Sequence, residues 1–343
     1  MIPEYNPIEL TAVNALLTQE GTVAITTHHK PDGDAIGSCV ALYHYLCDRN
    51  KECCIILPSD FPDFLSWMVE GTNYINYEEN PQVGNNLFAK ASIIFCLDFN
   101  DAKRVERLEN HLLKSGATKI MIDHHLEPTD FCDYTFSFYK AGSTAELVYH
   151  FILALDATYK FSKKSASSLY AGIMTDTGSF RFSSTTGDTH RLVASLLDCG
   201  VIPNEIHEAI FDNFSENRTH FLGHCLKDKM VVLPEYKTAY IAISKSELKQ
   251  YDHQTGDTEG IVNFALSIKG VRMAAFICEH EGIIKISFRS RGHFSVKELA
   301  ATHFNGGGHQ NAAGGRSFET LDNTVSKFLT ILPSYLHQLN SNV

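Results

Sequence analysis

Four short apolar runs punctuate the first half of the chain, and three of them stop at acidic or imidazole side chains. Thr22–Thr27 reads TVAITT and runs into His28-His29-Lys30-Pro31-Asp32-Gly33-Asp34. Ser92–Leu97 ends at Asp98, and Lys119–Ile122 ends at Asp123-His124-His125. The fourth run is Cys53–Leu57. Each has the length of a buried strand, and the stretches between them, such as Ile36–Leu46 and Val105–Leu113, carry apolar residues at helical spacing. Strands that alternate with helices predict an α/β unit whose mostly parallel sheet has helices on both faces. In such sheets ligands collect outside the carboxyl ends of the strands.

After Ser143 the pattern changes. Residues 143–155, 165–174, 188–197, 203–211 and 216–226 read as helices without convincing strands between them. Fresh strand candidates follow at 230–233, 238–243, 273–278 and 283–288, with a helix at 259–268 and a glycine-rich turn at Gly306-Gly307-Gly308. The expected organisation is a first domain over 1–215, a helical linker over 216–228 and a smaller α/β domain over 229–343.

Composition narrows the function classes. At 343 residues with 44% hydrophobic and 20% charged side chains, the chain can bury two cores. No apolar run approaches the length of a membrane span, and the first ten residues lack a basic segment followed by an apolar one, so the expected location is cytoplasmic, with no membrane partner. The nine cysteines include no CxxC pair and read as reduced thiols. A net charge of −11 disfavours a broad basic face for duplex DNA. The charge is uneven: residues 1–228 hold 30 acidic and 17 basic side chains, residues 229–343 hold 10 and 12. The first part suits cations; the second tolerates an anion.

The chemistry lies in the polar residues at the strand ends. His28, Asp32, Asp34, Asp98, Asp123, His124 and Asp176 come from four separate segments that the topology directs to one sheet edge. A lone Asp after a strand is ordinarily a turn residue or a helix cap. Clustered carboxylates repel one another unless cations neutralise them, and mixed Asp and His donors without thiolate suit Mn²⁺, Mg²⁺ or Zn²⁺, with Mn²⁺ the best match.

His28-x-x-x-Asp32-x-Asp34, Asp98, Asp123-His124-His125 and Asp176, taken in order, resemble the four motifs of the DHH phosphoesterases. Gly306-Gly307-Gly308-His309 is similar to the glycine-rich signature of their C-terminal DHHA1 domain, and the resemblance runs from about His28 to Gly315. It implies an active site in the cleft between the domains and two Mn²⁺ ions, with Mg²⁺ or other divalent ions as substitutes. One ion is expected on His28, Asp32, Asp98 and Asp176, the other on Asp34, Asp98, His124 and Asp176. Asp123 is expected to orient the neighbouring imidazole, and His125 to face the substrate phosphate or leaving oxygen. Two such ions acidify a shared water for attack on phosphorus.

The second domain is expected to hold the nucleotide. Ser287, Arg289 and Arg291 alternate as on one strand face, Ser290 lies between them, and arginine forks and serine hydroxyls grip phosphate. Gly306, Gly307 and Gly308 allow close backbone approach, and His309 stacks on a base or bonds phosphate. The chain length is similar to that of the stand-alone oligoribonuclease and pAp (3′-phosphoadenosine 5′-phosphate) phosphatase group. The expected activity is therefore removal of 5′-mononucleotides from short single-stranded RNA and dephosphorylation of small nucleotides such as pAp. The nearest rival is a cyclic-di-AMP or pApA phosphodiesterase, and a rival of another class is a catalytically silent nucleotide-binding protein. A homodimer is compatible with all of these.

Overall fold

The computed structural model describes residues 3–341 and divides into two compact units between Asn213 and Phe214. The first unit is built on a six-stranded sheet of β1 (Thr22–Thr26), β2 (Cys53–Leu57), β3 (Tyr74–Asn76), β4 (Ala91–Leu97), β5 (Thr118–Asp123) and β6 (Tyr134–Ser137). Every pair is parallel, in the order β3-β2-β1-β4-β5-β6. The chain works outward from β1 to β3, then returns to lay β4 on the other side of β1. That reversal opens a crevice at the carboxyl ends of β1 and β4.

Alternation along the strands builds a core on each face. Val23, Ile25, Ile55, Phe95, Leu97, Ile120 and Ile122 pack in one layer with the helices Gly33–Asp48, Thr144–Leu155 and Lys163–Asp176. Ala24, Ile56, Ile94, Cys96 and Met121 pack on the other with Phe88, Leu108 and Leu112. The helices Gly33–Asp48 and Lys163–Asp176 approach closely because small residues face each other. A Cβ added to Gly37 would lie 2.4 Å from the Ser168 carbonyl oxygen, and one on Gly172 would lie 3.2 Å from Asp34 Cα.

The two edge strands, β3 and β6, escape the sequence reading. They are three and four residues long, with one buried position between them, so they carry no apolar run. Edge strands need only one paired side and are kept short and polar.

The second unit holds β7 (Met230–Leu233), β8 (Thr238–Ile243), β9 (Met273–His280), β10 (Ile283–Ser290), β11 (Gly307–His309) and β12 (Ala312–Ser317), in the order β11-β12-β10-β9-β8-β7. Only β8 and β9 run parallel. One face packs Ile277, Ile284, Ile286 and Phe288 against Phe304 and Phe328. The other packs Ile241, Ala274 and Phe276 against Phe221, Cys225, Ile261 and Val262. The helix Glu216–His224 thus contributes Phe221 to the second unit's core. The glycine-rich segment, expected as a turn, is a strand: Gly307 and Gly308 pair with Gly314 and Ala313 in a hairpin. No described helix is long and apolar enough to cross a membrane.

Candidate metal centre and active site

Polar side chains from the ends of β1, β4 and β5 and from three helix termini converge at the crevice. His28 leaves β1 buried, and its Nδ1 lies 3.0 Å from the His29 carbonyl oxygen. A protonated Nδ1 on that carbonyl leaves Nε2 as the metal-binding nitrogen. Nε2 is 3.4 Å from Asp98 Oδ2 and 4.0 Å from Asp32 Oδ1. Asp32 caps the helix Gly33–Asp48, its Oδ1 accepting from the backbone of Asp34 and Ala35. The ordinary capping role and the site role coincide in this residue.

Asp34 is buried, and its carboxylate sits at the start of the helix Thr144–Leu155. Oδ2 accepts from the Thr144 N–H at 2.7 Å and Oδ1 from the Ala145 N–H at 2.8 Å. These are unpaired amides of a helix N-terminus, which favours negative charge. Thr144 also donates its hydroxyl to Asp98 Oδ1 at 2.9 Å, so one residue braces two of the carboxylates.

Asp98 follows β4 with φ of 65°, in the left-handed region that costs a non-glycine residue conformational energy. Its N–H donates to the Ile122 carbonyl. The two carboxylate oxygens divide: Oδ2 faces His28, while Oδ1 lies 3.6 Å from His124 Nε2. His124 turns Nδ1 toward the Ala141 carbonyl at 3.3 Å and presents Nε2 to Asp176 Oδ2 at 3.2 Å and to Asp34 Oδ2 at 3.9 Å. Asp176 is the last residue of the helix Lys163–Asp176. The donor groups here include His28/Asp32/Asp98 and Asp34/His124/Asp176, with Asp98/Asp123/His125 as a further cluster in which the Asp123 carboxylate is already engaged by His125. Asp176 stands with the second of them.

Asp123 lies wholly buried and serves His125. Its Oδ1 accepts from His125 Nδ1 at 2.7 Å and its Oδ2 from the His125 N–H at 2.9 Å. The other ring nitrogen, Nε2, is 2.9 Å from Arg104 Nη1, which also donates to the Asp98 carbonyl oxygen at 3.3 Å. Arg104 and Thr144 are the site residues that sequence reasoning missed. The first stands six residues past Asp98, a spacing that carried no signal; the second lies within 143–155, which reads simply as a helix.

The electrostatics match a cation centre. Burial pushes the Asp34 carboxyl well above its ordinary range, and the charges of Asp98, Asp176 and Asp32 add to that shift. Burial alone would also raise Asp98, but the hydrogen bond from His28 and the adjacent imidazoles hold it below the usual carboxylate range. Burial opposes protonation of His28 and His124, yet their carboxylate neighbours raise both. Burial and the Arg104 charge hold His125 down. The donor set is rich in carboxylate, has two imidazoles oriented from behind and includes no thiolate. It fits hard or borderline divalent cations.

In the second unit the expected nucleotide residues separate. Ser287 is exposed and Arg289 half-buried on the open face of β10. One expectation is corrected. Ser290 points to the buried side, donating its hydroxyl to the Phe294 carbonyl at 2.7 Å and accepting from Asn311 Nδ2 at 2.8 Å, so its hydroxyl is engaged within the unit. Arg291 is exposed one residue past the end of β10, and its N–H on the Arg272 carbonyl continues the register of β9 and β10.

Comparison with known proteins agrees with this geometry. Residues 22–173 match the DHH family, N-terminal domain, and residues 236–337 match the DHHA1 domain. The chain belongs to the DHH family of phosphoesterases. It is 28% identical over 294 residues to the bifunctional oligoribonuclease and PAP phosphatase NrnA of Bacillus subtilis, covering 85% of this chain and 88% of the relative. The NrnA of Thermus thermophilus is 29% identical, covering 91% and 89%. An exopolyphosphatase-related protein from Bacteroides fragilis superposes with a TM-score of 0.93 at 37% identity, over 98% of both chains. The DHH-family protein is accordingly a phosphoester hydrolase.

Proposed function

We infer that this DHH-family protein is a manganese-dependent phosphoesterase that releases 5′-mononucleotides from short oligoribonucleotides and dephosphorylates pAp. The observation that carries the reading is the division of Asp98, with one oxygen toward His28 and the other toward His124. A carboxylate so placed bridges two donor groups, the pattern of a two-cation centre. The similarity to the NrnA proteins supports the substrate class.

His28, Asp32 and Asp98 would hold one divalent cation, and Asp34, Asp98, His124 and Asp176 the other. When bound, such ions supply charge neutralisation on the phosphoryl oxygens and an acidified water. The remaining residues act on substrate. Asp123 fixes His125 with its proton on Nδ1, and Arg104 on Nε2 is a donor that transfers to a phosphoryl oxygen when substrate enters. His125 Nε2, freed of Arg104, then takes up a proton from solvent and donates it to the leaving oxygen, with Asp123 on Nδ1 stabilising the imidazolium. In the second unit, Ser287, Arg289 and His309 bind the nucleotide, and the open backbone at Gly307 lets it lie close.

The test is a parallel assay of the metal-stripped protein, with Mn²⁺ or Mg²⁺ restored, on pAp, pApA, a 5′-phosphorylated RNA pentamer and cyclic-di-AMP. Turnover of pAp and the pentamer with Mn²⁺ is expected. Turnover confined to cyclic-di-AMP or pApA would replace this reading with the dinucleotide phosphodiesterase. Binding without turnover of any of them would leave a nucleotide-binding protein.

A further inference from the structure

The turn that follows Asp176 presents an aromatic ring to solvent beside the metal centre. Phe180 and Phe182 stand two residues apart in Thr177-Gly178-Ser179-Phe180-Arg181-Phe182 and take opposite paths. Phe180 packs on the first unit's core, its ring 5.6 Å from that of Tyr170. Phe182 is 45% exposed. Its inner side rests on bare backbone: a Cβ on Gly178 would lie 2.5 Å from Phe182 Cζ. Any other residue at 178 would displace the ring.

The backbone fixes that ring. Gly178, Ser179 and Phe180 have φ of 58°, 58° and 63°, three successive residues in the left-handed region. Two of them are not glycine, and such a conformation persists only where surrounding contacts impose it. Those contacts are present. The Ser179 N–H donates to the Met174 carbonyl at 2.8 Å, and the Arg181 and Phe182 N–H groups both donate to the Thr177 carbonyl at 3.0 Å. The Phe180 N–H donates to the Thr177 hydroxyl at 3.1 Å. A ring already ordered loses little freedom when a ligand covers it.

The turn is also anchored to the metal centre. Gly178 is two residues from Asp176, a reach of at most about 7 Å. A Cβ on Gly142 would lie 3.1 Å from Thr177 Cγ2 and 3.6 Å from the Ser184 carbonyl oxygen. Both ends of the turn therefore pack on the segment whose Ala141 carbonyl faces His124.

The charge pattern selects the occupant. No acidic residue lies between Asp176 and Asp188, and the one cationic side chain there is Arg181. Its Nε donates to the Gly178 carbonyl at 2.6 Å, and the residue is exposed. An aromatic face beside a guanidinium and a cation-binding centre suits a ligand that is flat and apolar at one end and anionic at the other. A nucleotide has that form. Inorganic polyphosphates and sugar phosphates lack the flat end, and a neutral apolar partner would leave Arg181 unused.

We propose that Phe182 is a stacking platform for a nucleobase of the substrate and that Arg181 contacts its phosphate, so that the first unit itself selects nucleotides over phosphate esters without a base. This rests on the reading of the protein as a nucleotide phosphoesterase.

The experiment uses the full-length protein loaded with Mg²⁺, with AMP and ribose 5-phosphate as probes that share a phosphate and differ in the base. Calorimetry compares the parent with Phe182→Leu, which keeps an apolar cover over Gly178 without an aromatic face, and with Arg181→Gln. Phe182→Leu is expected to weaken AMP by roughly tenfold, the scale of one lost base stack, and to leave ribose 5-phosphate within about twofold. Arg181→Gln should weaken both probes alike. Phe182→Trp should keep AMP affinity and add a reporter to a chain whose one tryptophan is Trp67, quenched by AMP and not by ribose 5-phosphate. Equal losses of both probes in Phe182→Leu would mean that the ring only props the turn, and would overturn the platform. So would unaltered AMP affinity in that variant, or a parent that binds AMP no tighter than ribose 5-phosphate. Turnover of pAp with Mn²⁺ separates the two readings. Base-dependent binding without turnover leaves the platform standing and the functional reading lost; turnover without base-dependent binding does the reverse.

Discussion

Arg104 Nη1 lies 2.9 Å from His125 Nε2, while Asp123 Oδ1 holds the opposite ring nitrogen at 2.7 Å. Both nitrogens of His125 are thus engaged, and the imidazole is oriented from two sides. Arg104→Met is expected to lower kcat/KM on pAp by about a hundredfold, the scale of losing one positioned donor, with Mn²⁺ affinity unchanged by calorimetry. His125→Ala should also retain metal, losing about 10²-fold to 10⁴-fold in turnover. Loss of metal from the His125 variant would make that residue a ligand instead.

Thr144 braces the centre from behind, with its N–H on Asp34 and its hydroxyl on Asp98. Thr144→Val keeps the backbone donor and the side-chain shape but removes the hydroxyl. Mn²⁺ affinity is expected to fall about 10-fold to 100-fold, as for other groups that orient a ligand. Titration calorimetry with Thr144→Ser as the rescuing control checks it.

Removing metal should destabilise the protein more as pH rises. Burial and neighbouring carboxylates raise Asp34, so the stability of its protonated form is present at low pH and lost as pH climbs from 3.8 through the folded value. His28 and His124 are raised from 6.5 by their carboxylate partners against burial, so their contribution is present below 6.5 and fades through their folded values. All three changes weaken the metal-free fold on the alkaline side. The difference in Tm between Mn²⁺-loaded and EDTA-treated protein is expected to be larger at pH 8 than at pH 5.5. Equal differences would show that these groups do not neutralise one another in the metal-free state.

Gly37 controls how closely the helices bearing Asp34 and Asp176 approach. Gly37→Ala places a methyl 2.4 Å from the Ser168 carbonyl oxygen, and backbone on both sides must shift. A loss of about 1–3 kcal/mol in stability is expected from overpacking. Metal affinity should fall as well, because Asp176 is carried on the displaced helix; denaturant midpoints and calorimetry together distinguish the two effects.

Local chemistry in the sequence determined the central strands of the first sheet and the Asp and His donors at their ends. Buried parallel strands are apolar throughout and stop abruptly, which made β1, β2, β4 and β5 legible and left His28, Asp98 and Asp123 at their ends. The short edge strands β3 and β6 had no such run. Only the tertiary structure decided that the two oxygens of Asp98 face different histidines, because His28 and His124 lie at the ends of strands that flank β4 through sheet order. It also decided that Asp123 serves His125, that Arg104 reaches the site and that Ser290 turns inward. Each is a contact between segments distant along the chain, and residue type and spacing carry information only about near neighbours on one element.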